Sequence, residues 1–274
     1  MQHQTIRVNG IGMRVAVLGE GRPLVLLHGF PDTHDVWREQ FKALSEAGYR
    51  VIAPDLRGYG GSEAPASVES YRIDILRADV LALFDALQID QAYLVGHDWG
   101  AVLRWQLCMH APERVERFAA LSVGHPNAYA QAGLAQRFKA WYAALFQLPG
   151  VAEAMLGAGD LLALKAQAVD DEQLAGRRRN FAGAGRLTAA LNYYRANRQL
   201  ATPGEYPDVT MPVLGVWSEG DPALTEHQMS GSGAHMSGPF RYEKIAGDIG
   251  HWLQLREPAR VNRLLIDFAG GSPG

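Results

Sequence analysis

The sequence predicts an α/β protein, a doubly wound and mostly parallel sheet interrupted by an all-helical insertion. Two observations carry this: short apolar runs of buried-strand type alternate with helical repeats over the first 125 residues, and a long strand-free stretch follows before strand texture returns. Ile6 to Val8 and Met13 to Leu18 alternate around Asn9-Gly10, the pattern of an antiparallel hairpin. Leu24 to Leu27 is a continuous apolar run, Val36 to Ala47 has helical spacing, and Tyr49 to Ala53 is again a short strand. From Tyr71 to Leu87, Ile73, Leu76, Val80, Leu83, Phe84 and Leu87 recur at helical intervals. Ala92 to Val95 then reads as strand, Ala101 to Met109 as helix and Phe118 to Val123 as strand. Past His125, Gln136 to Phe146, Glu153 to Ala168 and Leu187 to Gln199 are helical with no strand between them. Strands resume at Pro212 to Trp217 and Phe240 to Ile245, and Pro258 to Phe268 closes with an amphipathic helix. The expected division is therefore a core of residues 1–125 and 208–274 with a helical lid at 126–207.

Composition narrows the function classes. The 274 residues are 47% hydrophobic and 20% charged, which excludes disorder, a collagen-like chain and a coiled coil. Twenty-six Lys and Arg against 29 Asp and Glu leave a net charge of -3, too balanced to neutralise a phosphate backbone, so nucleic acid is not an expected partner. No apolar run approaches the roughly 18 residues of a membrane span, and the first residues lack the apolar core of a secretory signal. A single cysteine, Cys108 between Leu107 and Met109, reads as buried packing in a soluble, cytoplasmic protein. Arg177-Arg178-Arg179 reads as a solvated helix face, and Gly231-Ser232-Gly233, without the lysine of a phosphate loop, as a flexible connection.

Gly96-His97-Asp98-Trp99-Gly100 lies between a predicted strand and a predicted helix. That placement resembles the G-x-S-x-G nucleophile elbow of the α/β-hydrolases, with aspartate in the place of serine. A serine hydroxyl needs a base to attack, whereas a carboxylate with a reference pKa near 4 is already charged at pH 7. Against an ester or amide it gains little, but it can displace a leaving group from saturated carbon and become an alkyl ester. Release then requires water to attack the carboxyl carbon of Asp98 itself, so a histidine would act on water and the oxyanion would form on the enzyme's own side chain. The N–H groups of Phe30, in His28-Gly29-Phe30-Pro31, and of Trp99 are expected to hold that oxyanion. His251 follows the last predicted strand and is the expected base; His3, His34, His110 and His227 read as surface or helix positions. Asp221, in Ser218-Glu219-Gly220-Asp221-Pro222, is the expected orienting acid, with Glu219 and Asp248 as rivals.

These four motifs resemble, over nearly the whole length, the epoxide hydrolases of the α/β-hydrolase fold. His28-Gly29-Phe30-Pro31 is similar to that family's H-G-x-P, and Asp98, Asp221 and His251 fall at its nucleophile, acid and base. The resemblance implies an eight-stranded sheet under a helical cap. It also implies that Tyr142 and Tyr194, inside the helical stretch, hold and protonate the epoxide oxygen. Chemistry gives an independent reason for them: opening an epoxide expels an alkoxide, and a phenol with pKa near 10 remains a proton donor at pH 7.

Haloalkane dehalogenases share the fold and the aspartate, but commonly place a halide-binding Asn where this chain has Phe30; fluoroacetate dehalogenases resemble H-D-R-G with a further Arg, where this chain has Trp99 and Val102. A non-catalytic binding protein would have lost part of the constellation. Ala143, where some relatives carry a polar residue, departs from the pattern and leaves substrate choice open. The expected partners are a small apolar epoxide and water, with no metal or organic cofactor, no membrane, and a homodimer left open. The large apolar side chains at Trp141, Phe146, Leu148, Met155, Leu161, Leu162, Leu164, Phe181 and Tyr193 are expected to wall an apolar pocket for neutral aromatic, alicyclic or aliphatic epoxides.

Overall fold

The computed structural model describes residues 1–270; residues 271–274, the end of the second core segment expected from sequence, lie outside them. Eight strands form one sheet in the order β1-β2-β4-β3-β5-β6-β7-β8: β1 Gln2–Val8, β2 Ile11–Leu18, β3 Arg22–Leu27, β4 Tyr49–Pro54, β5 Ala92–His97, β6 Val115–Leu121, β7 Val213–Ser218 and β8 Phe240–Ile245. β2 runs antiparallel to both β1 and β4, and every other pairing is parallel. The eight-stranded, mostly parallel sheet expected from the sequence is thus present.

The continuous apolar run in β3 is explained by burial on two sides. Val25 and Leu27 belong to the core on one face of the sheet, Leu24 and Leu26 to the core on the other. Helices α1 (Arg38–Glu46), α2 (Ile73–Ala86) and α3 (Trp99–His110) connect the first strands. The strand order reverses direction at β3, so the loops leaving β3 and β5 part to opposite sides and open a crevice at their carboxyl ends. His28 to Pro31 and Asp98 lie at those two ends.

Between β6 and β7 come six helices and no strand: α4 (Pro126–Ala130), α5 (Gly133–Lys139), α6 (Trp141–Leu145), α7 (Val151–Lys165), α8 (Asp171–Phe181) and α9 (Arg186–Ala196). α7 is broken in the middle, where Gly159, Asp160 and Leu161 take left-handed backbone angles. The helical segment is tied to the core by polar contacts that the sequence does not announce. Asn197 accepts a hydrogen bond from the N–H of Ile73 at the start of α2 (2.7 Å), and the Tyr193 hydroxyl donates to the Arg57 carbonyl (2.7 Å). Short α10 (Glu226–Ser230) and α11 (Leu253–Arg256), then α12 (Pro258–Gly270), follow among the described residues.

Three readings are corrected. The arginine triplet does not form one solvated face: successive helix residues point about 100° apart, so Arg177 turns inward and is buried while Arg178 and Arg179 reach Asp160 and Asp35 outside. His34 is not a surface residue either, for it is buried with Nδ1 2.7 Å from the Asp55 carboxylate. Gly231 to His235 is a 3-10 turn rather than a flexible connection, fixed by buried Ser232, whose hydroxyl accepts the N–H of His125 (2.9 Å). Cys108 is buried as expected, and burial pushes its thiol up, so it is held as the neutral thiol.

Candidate active site

Asp98 sits on a strained turn, with φ 52° and ψ -124°, between β5 and α3. The turn requires its glycines: a Cβ on Gly100 would lie 2.0 Å from the Leu27 carbonyl oxygen, and one on Gly29 would lie 2.2 Å from Asp98 Oδ1. Gly29 thereby lets the β3 loop close onto the carboxylate, and the Phe30 N–H donates to Asp98 Oδ1 at 2.7 Å. Burial disfavours charge on Asp98, yet the His251 hydrogen bond and charge, with the Trp99 N–H, outweigh it and hold the carboxyl below the usual carboxylate range. The two donors expected for an oxyanion therefore already face this side chain.

His251 Nδ1 lies 2.8 Å from Asp221 Oδ2, and Nε2 lies 3.6 Å from Asp98 Oδ2. Asp221 Oδ1 is held in turn by the N–H groups of Ala223 (2.8 Å) and Leu224 (3.0 Å). Of the rivals, Glu219 faces Lys244 and the Gly247 N–H, and it is Asp221, not Asp248, that meets His251 Nδ1. Burial opposes a charged imidazole, but Asp221 and then Asp98 overcome it and push His251 up to about 10, so with both carboxylates ionised the ring carries two protons.

Sequence reasoning missed what positions His251. Its backbone carbonyl accepts from His97 Nε2 (2.9 Å) and from the Ser122 hydroxyl (3.1 Å). Burial pushes His97 down to about 4, so its ring is neutral and the Nε2 proton is the one donated. Next to His251, the Trp252 indole donates to Asp32 Oδ2 (2.6 Å), and Asp32 also takes Arg177 Nε at 2.9 Å. The Arg177 guanidinium stacks over the Trp252 ring with its carbon 4.5 Å from the ring centre. One buried ion pair thus joins α8 to both core loops of the site; the adjacency of Asp32 to Phe30-Pro31 and of Trp252 to His251 was the available signal.

Tyr142 on α6 and Tyr194 on α9 face Asp98 from the helical side. Their rings are 6.2 Å apart, and Tyr194 packs on Trp99 at 5.1 Å and on Phe146 at 4.9 Å. Burial raises both phenols well above 10, so both stay protonated. Two cavities, of about 350 and 390 Å³, meet here, each lined by Asp98, Tyr142 and Tyr194. Val102, Val123, Leu200 and Leu224 line the first; Phe30, Phe146, Leu156 and Trp252 line the second. The expected apolar wall is only partly present: Phe146 and Leu164 line the second cavity and Trp141 and Met155 touch it from an exposed rim, whereas Leu148 and Leu162 are exposed and line neither, and Leu161, Phe181 and Tyr193 line neither because they pack into the core.

A doubly wound sheet with an elbow aspartate, a histidine and an acid at its carboxyl edge defines a hydrolase of the α/β class, and residues 22–258 match the family described as alpha/beta hydrolase fold, to which the chain belongs. The chain is 35% identical to the AB hydrolase superfamily protein YfhM of Bacillus subtilis, over 97% of this chain and 96% of that protein. It is 34% identical to Epoxide hydrolase A of Mycobacterium tuberculosis, over 97% and 96%. The crystal structure of epoxide hydrolase VrEH1 from Vigna radiata superposes with a TM-score of 0.86 at 32% identity, covering 98% of this chain and 97% of that one. Within the fold, the chain is a member of the epoxide hydrolase family.

Proposed function

We propose that the chain hydrolyses epoxides to vicinal diols through a covalent ester on Asp98. The observation that carries this reading is the placement of an ionised, elbow-mounted carboxylate opposite two protonated phenols across one apolar space. An Asp98 oxygen attacks an epoxide carbon, the C–O bond breaks, and Tyr142 and Tyr194 supply hydrogen bonds and a proton to the departing oxygen. Ester formation removes the negative charge of Asp98, one of the two charges that raise His251. The imidazolium then passes its Nε2 proton, relayed by water, to the tyrosinate left by the ring opening, which restores the phenol and makes His251 the base for water, with Nδ1–H held by Asp221. Water adds to the Asp98 carboxyl carbon, and the N–H groups of Phe30 and Trp99 stabilise the oxyanion. Collapse breaks the ester C–O bond, the expelled alkoxide takes the proton of the new Asp98 carboxyl to give the diol, and His251 keeps the proton it took from water, so the resting carboxylate and imidazolium are restored.

The helical segment 126–207 acts in this reading as a lid whose apolar lining binds neutral epoxides mainly by desolvation. Haloalkane chemistry is the weaker reading. A halide needs N–H donors, and where haloalkane dehalogenases commonly carry a halide-binding Asn this chain has Phe30, whose side chain offers none. Turnover of styrene oxide in heavy-oxygen water, followed by mass spectrometry of the Asp98 peptide, tests the mechanism. The label enters the carboxylate if water attacks its carbon; an unlabelled Asp98 after many turnovers would overturn the covalent route, and bromide release from a bromoalkane without diol formation from styrene oxide would overturn the substrate class.

A further inference from the structure

Apart from Met1, every exposed large hydrophobic side chain of the described residues lies between positions 134 and 162. Leu134, Phe138 and Trp141 recur at helical intervals along α5 and α6, and Val151, Met155 and Leu162 lie along α7. These six are 49–78% exposed, a clustering of large apolar side chains at the surface of the kind that marks an interaction site. The two rows meet at the second cavity, because Trp141 and Met155 both line it. The break at Gly159 to Leu161 turns Leu161 into the core and leaves Leu162 outside.

The acids of this apron are paired, and the charges left over are cationic. Glu153 is ion-paired with Arg195, and Asp160 with Arg178. Arg137 and Lys165 have no carboxylate within ion-pair distance, and Lys139, on the rim of the same cavity, donates to the Asp221 carbonyl rather than to an acid. Two copies meeting face to face would bring these cations together. An anionic bilayer surface would instead match both the cations and the apolar side chains, since interfacial binding sums buried apolar area and attraction to acidic lipids.

We infer that the α5 to α7 apron docks on anionic lipid surfaces, with the mouth of the second cavity turned toward the acyl region where apolar substrates dissolve. Among the described residues no helix is long and apolar enough to cross a membrane, so the contact is peripheral. The surface stands on its own residues; only its use, uptake of an apolar substrate, rests on the epoxide reading.

The test is partition of the full chain, without substrate, between buffer and sedimented vesicles of phosphatidylcholine with or without phosphatidylglycerol at low ionic strength. Binding to the phosphatidylglycerol vesicles is expected, falling about fivefold for each of Arg137→Gln and Lys165→Gln and by about tenfold or more for the double change Leu134→Ser with Phe138→Ser. None of these four positions lines a cavity, so melting temperature and turnover of a water-soluble epoxide should stay at the parent values. Failure to bind phosphatidylglycerol vesicles, or equal binding by all variants, would overturn the proposal. So would a monomer–dimer equilibrium in analytical ultracentrifugation that Leu134→Ser with Phe138→Ser abolishes, because a second copy would then cover the face. Vesicle binding is read without catalysis, so its failure is distinct from failure to hydrolyse epoxides.

Discussion

The two walls of the site are held by different forces. On the core wall Asp98, Asp221 and His251 are each fixed by hydrogen bonds of 2.7–3.0 Å. On the helical wall Tyr142 and Tyr194 are placed by rings packed at 4.9–6.2 Å. The core wall carries charge and changes it during the proposed cycle; the helical wall stays neutral and supplies shape and protons. Directional hydrogen bonds demand particular residue types at particular spacings, while packed rings demand only volume and a hydroxyl in reach.

The largest expected effect tests the charged wall. In His251→Gln the ester should still form but not hydrolyse, with turnover lower by about 10²–10⁴-fold and the alkylated Asp98 peptide accumulating in the mass spectrum. Parent-rate turnover in that variant would remove His251 from the mechanism.

Between the walls runs the buried pair of Arg177 and Asp32. Arg177→Met strands a buried carboxylate and should lower unfolding free energy by about 3–5 kcal/mol, read by urea denaturation. Arg178→Ala, which breaks only the exposed pair with Asp160, should change it by less than about 1 kcal/mol. Equal effects of the two changes would mean that the inward pair contributes nothing special. The double variant Arg177→Met with Asp32→Asn should recover part of the loss, because the stranded charge is removed.

Tyr194→Phe and Tyr142→Phe keep the rings and delete one donor each, so the helical wall should stand while its chemistry weakens. Each change is expected to slow ester formation by about 10²-fold, the scale for a lost oxyanion donor. The rate of ester hydrolysis, measured by single-turnover fluorescence, should stay near the parent value. A slowed hydrolysis step with normal alkylation would place the phenols in the wrong half of the cycle.

This difference between the walls also explains what the sequence made legible. Asp98, His251 and Asp221, the proposed nucleophile, base and acid, were readable as a cluster because each sits in a short motif at a strand end, where spacing and residue type are both constrained. The tyrosines were reached through a resemblance and a chemical argument, since nothing in the spacing of an aromatic residue on a helix separates a donor from packing. Arg177 was misread because a run of like charges carries no information on which member points inward; only the partner, Asp32, 145 residues away, decides it. Positioning contacts such as the His97 and Ser122 donors to the His251 carbonyl use backbone acceptors, which leave no trace in the identity of the residue that accepts.

The smallest expected effect follows from the charge on the core wall alone. His251 is raised from its ordinary 6.5 to about 10 in the folded resting enzyme, because Asp221 and Asp98 outweigh burial. Below about 6.5 the ring is protonated in both the folded and unfolded chain, and the stabilisation from its two carboxylate partners is fully present. Between about 6.5 and 10 only the folded chain binds that proton, so stability falls as pH rises, by at most about 1.4 kcal/mol per pH unit. His97, pushed down to about 4, gives the opposite slope at lower pH, between about 4 and 6.5, where the unfolded chain binds the extra proton. Urea denaturation of the parent at intervals from about pH 7 to 9 should therefore show a decline that His251→Gln flattens. Tyr142→Phe with Tyr194→Phe should leave the decline unchanged, since both phenols remain neutral throughout that range. A parent and a His251→Gln variant with equal slopes would mean that His251 carries no extra proton at rest, and the release of that proton on ester formation would have to be replaced by a ring already neutral before the epoxide arrives.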